Sequence, residues 1–259
     1  MRRLVGPLVR LTFKWHIPRW IGVRLYLGYL VLTRRRRIEE YCRKHPVRRL
    51  QLGSGISLLP DWLNSDGFDP SSFTEPLYVF RIGVLLDVLR PFPLAHDSVD
   101  YIFHEHLIEH LSYEQGQFTL RECRRVLRRG GRIRIATPDL ATLISIYGSK
   151  PGGDQARYID EYIRCHSVVW CDDLAGVKEN KDVFVINHGF RAWGHQFIYD
   201  FPTLKAALDE AGFTNVIRCE SRKSNDPHLC GLECRQGLVG SFDALIVEAE
   251  KPNSTQTQV

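Results

Sequence analysis

The stretch Arg49-Leu50-Gln51-Leu52-Gly53-Ser54-Gly55, followed by Trp62-Leu63-Asn64-Ser65-Asp66, decides how this chain is read. A short apolar-ended run reads as a first strand, and two glycines break it at once, so that a ligand can approach the bare backbone. Trp62–Ser65 reads as a second strand ending on the carboxylate of Asp66, and Val84–Leu86 as a third ending on Asp87. A carboxylate at the end of strand two can accept both hydroxyls of a ribose, which points to a nucleoside-bearing cofactor. The dinucleotide fingerprint G-x-G-x-x-G fails, because its third position is Leu58. Pro60 also cuts short any helix that would offer its N-terminus to a pyrophosphate. Gly53–Asp61 is short for a crossover between parallel strands. These features disfavour a nicotinamide enzyme and leave room for a cofactor with ribose and adenine but no phosphates.

Outward from that stretch, strands and helices alternate. Ser98–Phe103 reads as a strand. Tyr113–Arg128 has the apolar spacing of an amphipathic helix, stopped at Gly130-Gly131. Arg132–Ala136 is a further strand, and Thr137-Pro138-Asp139 caps a helix reaching Tyr147. Phe201–Ala211 is a helix closed by Gly212, and Asn215–Cys219 and Phe242–Glu248 complete the strands. Such alternation implies an α/β sheet with ligands at the carboxyl ends of its strands.

The ordered set resembles a class I S-adenosylmethionine-dependent methyltransferase. It comprises the glycine turn, Trp62–Asp66, Asp87-Val88-Leu89, Pro91-Phe92-Pro93, Ser98–Ile102, His106–Leu111, Leu120–Leu127, Gly130-Gly131 and Thr137-Pro138-Asp139. The likeness covers about residues 48–145 and is nearest to bacterial predicted methyltransferases with a shortened first crossover. Trp193-Gly194-His195-Gln196-Phe197-Ile198-Tyr199-Asp200 extends it. The resemblance implies a Rossmann-like sheet, mostly parallel with its last strand antiparallel, and helices on both faces. It also implies roles. Gly53, Ser54 and Gly55 would pass beneath the methionine portion and ribose, and Asp66 would hold the ribose hydroxyls. Asp87 and the Val88 amide would meet the adenine, and His104 would face the sulfonium. Leu50-Gln51 stand where the family commonly carries an acid. The expected cofactor is S-adenosyl-L-methionine.

His104, Glu105, His106, Glu109 and His110 fall within one short segment. His106-Leu107-Ile108-Glu109-His110 matches the inverted zinc-peptidase pattern H-x-x-E-H. A metallopeptidase would need its helix directly behind a strand of a glycine-turn fold, an awkward position. Three further readings stay open: a metal-assisted transferase, a structural anchor made by Glu109 and His110, and general-base catalysis. A hydroxyl acceptor must lose its proton to be methylated, and histidine titrates in the right range. His106 and His110, with Glu109, are the catalytic candidates. His195, Trp193 and Tyr199 form an aromatic-rich candidate surface for a small-molecule or glycan acceptor. No metal is expected, and a chelator is expected to leave activity intact. A methyltransferase-like protein that binds without turnover is the alternative.

The chain of 259 residues carries a net charge of +5, unevenly distributed. Residues 1–49 hold 14 Lys or Arg against 2 Glu, so the remainder holds 21 basic and 28 acidic residues. The expected organisation is a basic arm (1–47), a cofactor-binding half (48–147), an acceptor-side insertion with the closing strands (148–251) and a polar tail (252–259). Ile17–Leu32 is apolar but interrupted by Arg19 and Arg24, and too short for the ~20 residues of a bilayer span. It reads either as a lid packed on the body or as an interfacial helix. In the second case Trp15, Trp20, Tyr26 and Tyr29 lie at headgroup depth and Arg34–Arg37 on anionic lipid. A nucleic-acid partner is not expected, since the acidic body would repel a long polyanion. The 7 cysteines are scattered and odd in number, consistent with a reduced, cytoplasmic chain. If the arm is the interfacial helix, the chain contacts an anionic inner membrane face peripherally through residues 1–37; if it is the lid, it does not.

Overall fold

The computed structural model describes residues 19–67, 83–148, 153–169, 174, 176–234 and 237–253. The expectations for Trp15, the rest of 1–18 and 254–259 lie outside those residues. In chain order the main elements are α1 (Arg19–Lys44), β1 (Arg49–Leu52), β2 (Leu63–Asp66), β3 (Val84–Leu85), β4 (Val99–Glu105) and α2 (Tyr113–Val126). They continue with β5 (Leu127–Pro138), α3 (Leu140–Ser145), α4 (Asp154–Val169), α5 (Lys181–Arg191), α6 (Phe201–Glu210), β6 (Thr214–Cys219), α7 (Leu238–Ser241) and β7 (Ala244–Glu250).

The strands form one sheet in the order β3-β2-β1-β4-β5-β7-β6. β3 through β5 are parallel, and β7 runs antiparallel between β5 and β6. This is the Rossmann-like arrangement expected from the sequence. The strand order reverses between β1 and β4, the crevice where ligands settle on open α/β sheets. Alternation sends Ile102, Ile133, Ile135, Leu245 and Val247 into the main core with Leu120 and Val126 of α2 and Leu204 and Leu208 of α6. Phe103 points the other way, onto Trp62 and Leu229.

Helix α2 starts with a full capping box, Ser112 and Gln115 satisfying each other's backbone N–H groups. It ends at Val126, short of the expected Gly130-Gly131 stop. β5 takes over at Leu127 because that residue already pairs with Val99 of β4. The link from β1 to β2 contains no helix. Side chains hold it: Gln51 and Asn64 both accept from the Leu59 N–H, and the Asn64 amide donates back to the Leu59 carbonyl. Gln51 thus clamps the glycine loop, its amide also donating to the Ser57 carbonyl.

Helix α1 is part of the body over its described length. Val23, Tyr26 and Leu30 are buried beside Leu85, and Ile38 and Tyr41 share the main core. This corrects the headgroup placement of Tyr26 and Tyr29: Tyr26 is buried and Tyr29 packs with it. The arginine run is corrected as well. Four successive helical residues, 100° apart, cannot face one side. Arg37 turns inward, donating to the Gly83 carbonyl and lying 5.4 Å from the Tyr29 ring centroid. Arg35 pairs with Glu39 on the outside.

Candidate active site

The glycine turn, Asp66, Asp87 and His104 all sit at the carboxyl ends of β1 to β4, as parallel strands in this order require. Gly53 and Gly55 have φ of 60° and 49°, a region that favours glycine. A Cβ on Gly55 would meet nothing within 4 Å, so open space lies over the turn. The Gly55 N–H donates to Asp66 Oδ2 at 2.7 Å. Burial nevertheless pushes the Asp66 carboxyl up to about 6, against the hydrogen bonds from the Gly55 and Gly67 amides. Ser54 is buried with its hydroxyl unpartnered, and buried His104 has no partner on either ring nitrogen. Burial takes His104 down to about 4, partly opposed by the Glu109 charge. Asp87 is exposed, accepting from the Leu89 N–H at 2.9 Å and pairing with Arg90.

A cavity of about 520 Å³ opens beyond β4 and β5. His106 and His110 line one side, and Tyr162, Cys165 and His166 of α4 line another. Trp193 and His195 come from the segment after α5, and Asp243 from the approach to β7. His106 has φ of 51°, rare for a side chain of its size. Its N–H donates to the Ala136 carbonyl and its Nδ1 to Glu109 Oε1 at 2.8 Å. The segment 108–110 is a single 3-10 turn, so the α-helix that H-x-x-E-H peptidases need is not formed, and that reading falls.

Glu109 is fully buried beneath the cavity instead of lining it, with Oε2 accepting from Thr137 Oγ1 at 3.0 Å. Burial opposes its charge. The His106 hydrogen bond and the neighbouring imidazoles outweigh that and bring the carboxyl to about 2. Backbone ties draw the next segment in: the Gln196 and Phe197 N–H groups donate to the Glu109 carbonyl, and the Gln196 amide donates to the His110 carbonyl. His195 therefore lands on His110, ring centroids 4.9 Å apart.

Of the three residues expected to hold an acceptor, Trp193 and His195 line the cavity and Tyr199 does not. Tyr199 is completely buried in the main core against Tyr113 and Phe197, its hydroxyl unpartnered and pressed towards Gly116. Its place one residue before the Asp200 cap of α6 fixes it there. Sequence reading missed Tyr162, Cys165 and His166. The only signal was Tyr162 and His166, four apart on one face of an amphipathic helix, a pattern that core residues share.

A methyltransferase-domain family profile matches residues 74–135. No curated protein matches the chain. Among solved structures, the apo S-adenosylmethionine-dependent methyltransferase SibL aligns with a TM-score of 0.43 and 16% identity over 80% of this chain, which spans about half of that protein's length. PigF with SAH aligns at 0.40 and 15% identity, covering 96% of this chain and 70% of that one. A Thermotoga maritima protein described as a possible histamine N-methyltransferase aligns at 0.41 and 14% identity, covering 96% of both chains. At such scores the fold rests on the strand order of the sheet itself, and the profile match covers residues 74–135, about a quarter of the chain.

Proposed function

We propose that this protein is an S-adenosylmethionine-dependent methyltransferase whose acceptor, a small molecule or a glycan or lipid-linked group, occupies the histidine-lined cavity and is methylated at oxygen. The observation that carries the reading is the glycine turn at the β1 end. Space lies open over Gly55, whose N–H is held by Asp66, and buried Ser54 and His104 carry unpartnered polar atoms at the neighbouring strand ends, a setting that suits a ribose-bearing ligand. When bound, S-adenosylmethionine supplies the electrophilic methyl group. Asp66 would accept from the ribose hydroxyls, and Asp87 with the Val88 amide would meet the adenine. Because His106 Nδ1–H is held by an ionised carboxylate, its Nε2 keeps a lone pair that can take the acceptor's hydroxyl proton. The Glu109 charge then balances the imidazolium, as a positioning residue. Trp193 and His195 bear on the acceptor. Holding donor and acceptor at near-attack distance supplies most of the rate in such a displacement.

The test is calorimetric titration with S-adenosylmethionine. Asp66→Ala and Asp87→Ala are each expected to weaken binding by about 1.5–3 kcal/mol. Unchanged affinity in both variants overturns the site. Tight binding with no methyl transfer to any oxygen acceptor would favour the alternative of a binding protein without turnover.

A further inference from the structure

We infer that Glu109, His110 and His195 form a binding site for a divalent first-row transition ion of the zinc class, on the floor of the cavity. Ligand atoms of all three side chains lie within 4.8 Å of one another. Two imidazoles and a carboxylate are the donor set such ions prefer, whereas magnesium and calcium select oxygen cages.

The second observation is the state in which the imidazoles are held. His195 Nδ1 lies 2.7 Å from the Gly189 carbonyl, which can only accept, so Nδ1 carries the proton and Nε2 a free lone pair. His110 is likewise held by the Trp193 carbonyl. His106 repeats the arrangement with Glu109. A protein oxygen on one nitrogen, leaving the other for a ligand, is the outer-shell pattern that orients metal-binding histidines. Glu109 also fits. Its carboxylate accepts from His106, from Thr137 and from its own backbone N–H, three of about four acceptor positions.

The sequence alone expects no metal, and its H-x-x-E-H pattern groups His106 with Glu109 and His110. The fold makes a different set. His106 turns onto Glu109, and the strap of Gln196 and Phe197 on the Glu109 carbonyl brings in His195 from 85 residues along the chain. Because His110 and His195 line the cavity, an ion there would keep open positions towards it, the mark of a reactive site over a closed structural one.

The inference stands apart from methyl transfer, since its test needs neither cofactor nor acceptor. Full-length protein carrying Cys230→Ser and Cys234→Ser, to remove two exposed thiols, is stripped of metal. It is then titrated with Zn²⁺ by calorimetry and with Co²⁺ by visible absorption. One equivalent is expected to bind, with cobalt bands typical of nitrogen and oxygen ligands. His195→Ala and His110→Ala are each expected to lower affinity at least a hundredfold, and His166→Ala, in the same cavity, less than threefold. Thermal midpoints check folding, and His195→Gln replaces any variant that unfolds. Absence of micromolar zinc binding overturns the inference, as does unchanged affinity in His195→Ala or His195→Gln. Equal loss in His166→Ala overturns the ligand set.

Discussion

Asp66, proposed above to hold the ribose, is a carboxylate whose burial works against the fold. Its pKa of about 6 lies above the value of about 3.8 for an open chain, so the folded protein holds this proton more tightly. The stability that follows is fully present below about pH 3.8 and lost as pH rises through about 6. At pH 7.5 Asp66→Asn is therefore expected to raise the stability of the cofactor-free protein by about 1–3 kcal/mol, an advantage that fades on acidification. The same variant should bind S-adenosylmethionine more weakly. Urea midpoints at pH 7.5 and 4 would check the first claim, and equal stability at both would contradict it. The positions of Asp66 and Asp87 at strand ends were legible because each closes a short apolar run after the glycine turn. Tyr199 was misread because its neighbours Trp193 and Phe197 suggest an aromatic surface, while its actual burial depends on the distant Gly116 of α2.

Helix α1 has one buried and one exposed apolar stripe. Its inner face is consumed by Val23, Tyr26 and Leu30, so deleting it would unfold the edge of the sheet and could not isolate a membrane role. Its outer face carries Leu25, Val31 and Leu32, all exposed, beside exposed Arg35 and Arg36. Among the described residues no helix is long and apolar enough to cross a membrane. Peripheral contact with an anionic leaflet is the proposal that this outer face supports. Leu25→Ser, Val31→Ser and Leu32→Ser together are expected to reduce co-sedimentation with anionic vesicles at low salt several-fold, with the thermal midpoint little changed. Added salt should weaken the unmodified protein's binding too. If it never sediments with such vesicles, the proposal fails. The sequence made this helix legible as basic and partly amphipathic. It could not show which stripe packs inward, because β3, which α1 covers, is only two residues long.

For the molecule as a whole, the parallel half of the sheet was readable from its motifs, while its second face was not. There the segment 220–234 lies against the strands, with Leu229 packed on Phe103 and Trp62. Arg134 of β5, wholly buried, pairs with both Glu233 and Glu248 and donates to the Glu220 and Lys223 carbonyls. Nothing local marks Arg134 as buried: it alternates with Ile133 and Ile135 as a surface residue would. Glu233→Ala should cost about 3–5 kcal/mol by stranding part of that charge. Faster amide exchange across 220–234 would accompany it, and a loss below about 1 kcal/mol would show that the pair does not hold the segment. The antiparallel insertion of β7 has a further consequence, for synthesis. β7 pairs along seven residues with β5 and also with β6, yet it comes last in chain order among the seven strands of this sheet. Until residues 244–250 leave the ribosome, β5 presents an open edge and the core lacks Leu245, Val247 and Ala249. The nascent chain therefore waits, half-sheeted and adhesive, until β7 emerges to close the sheet.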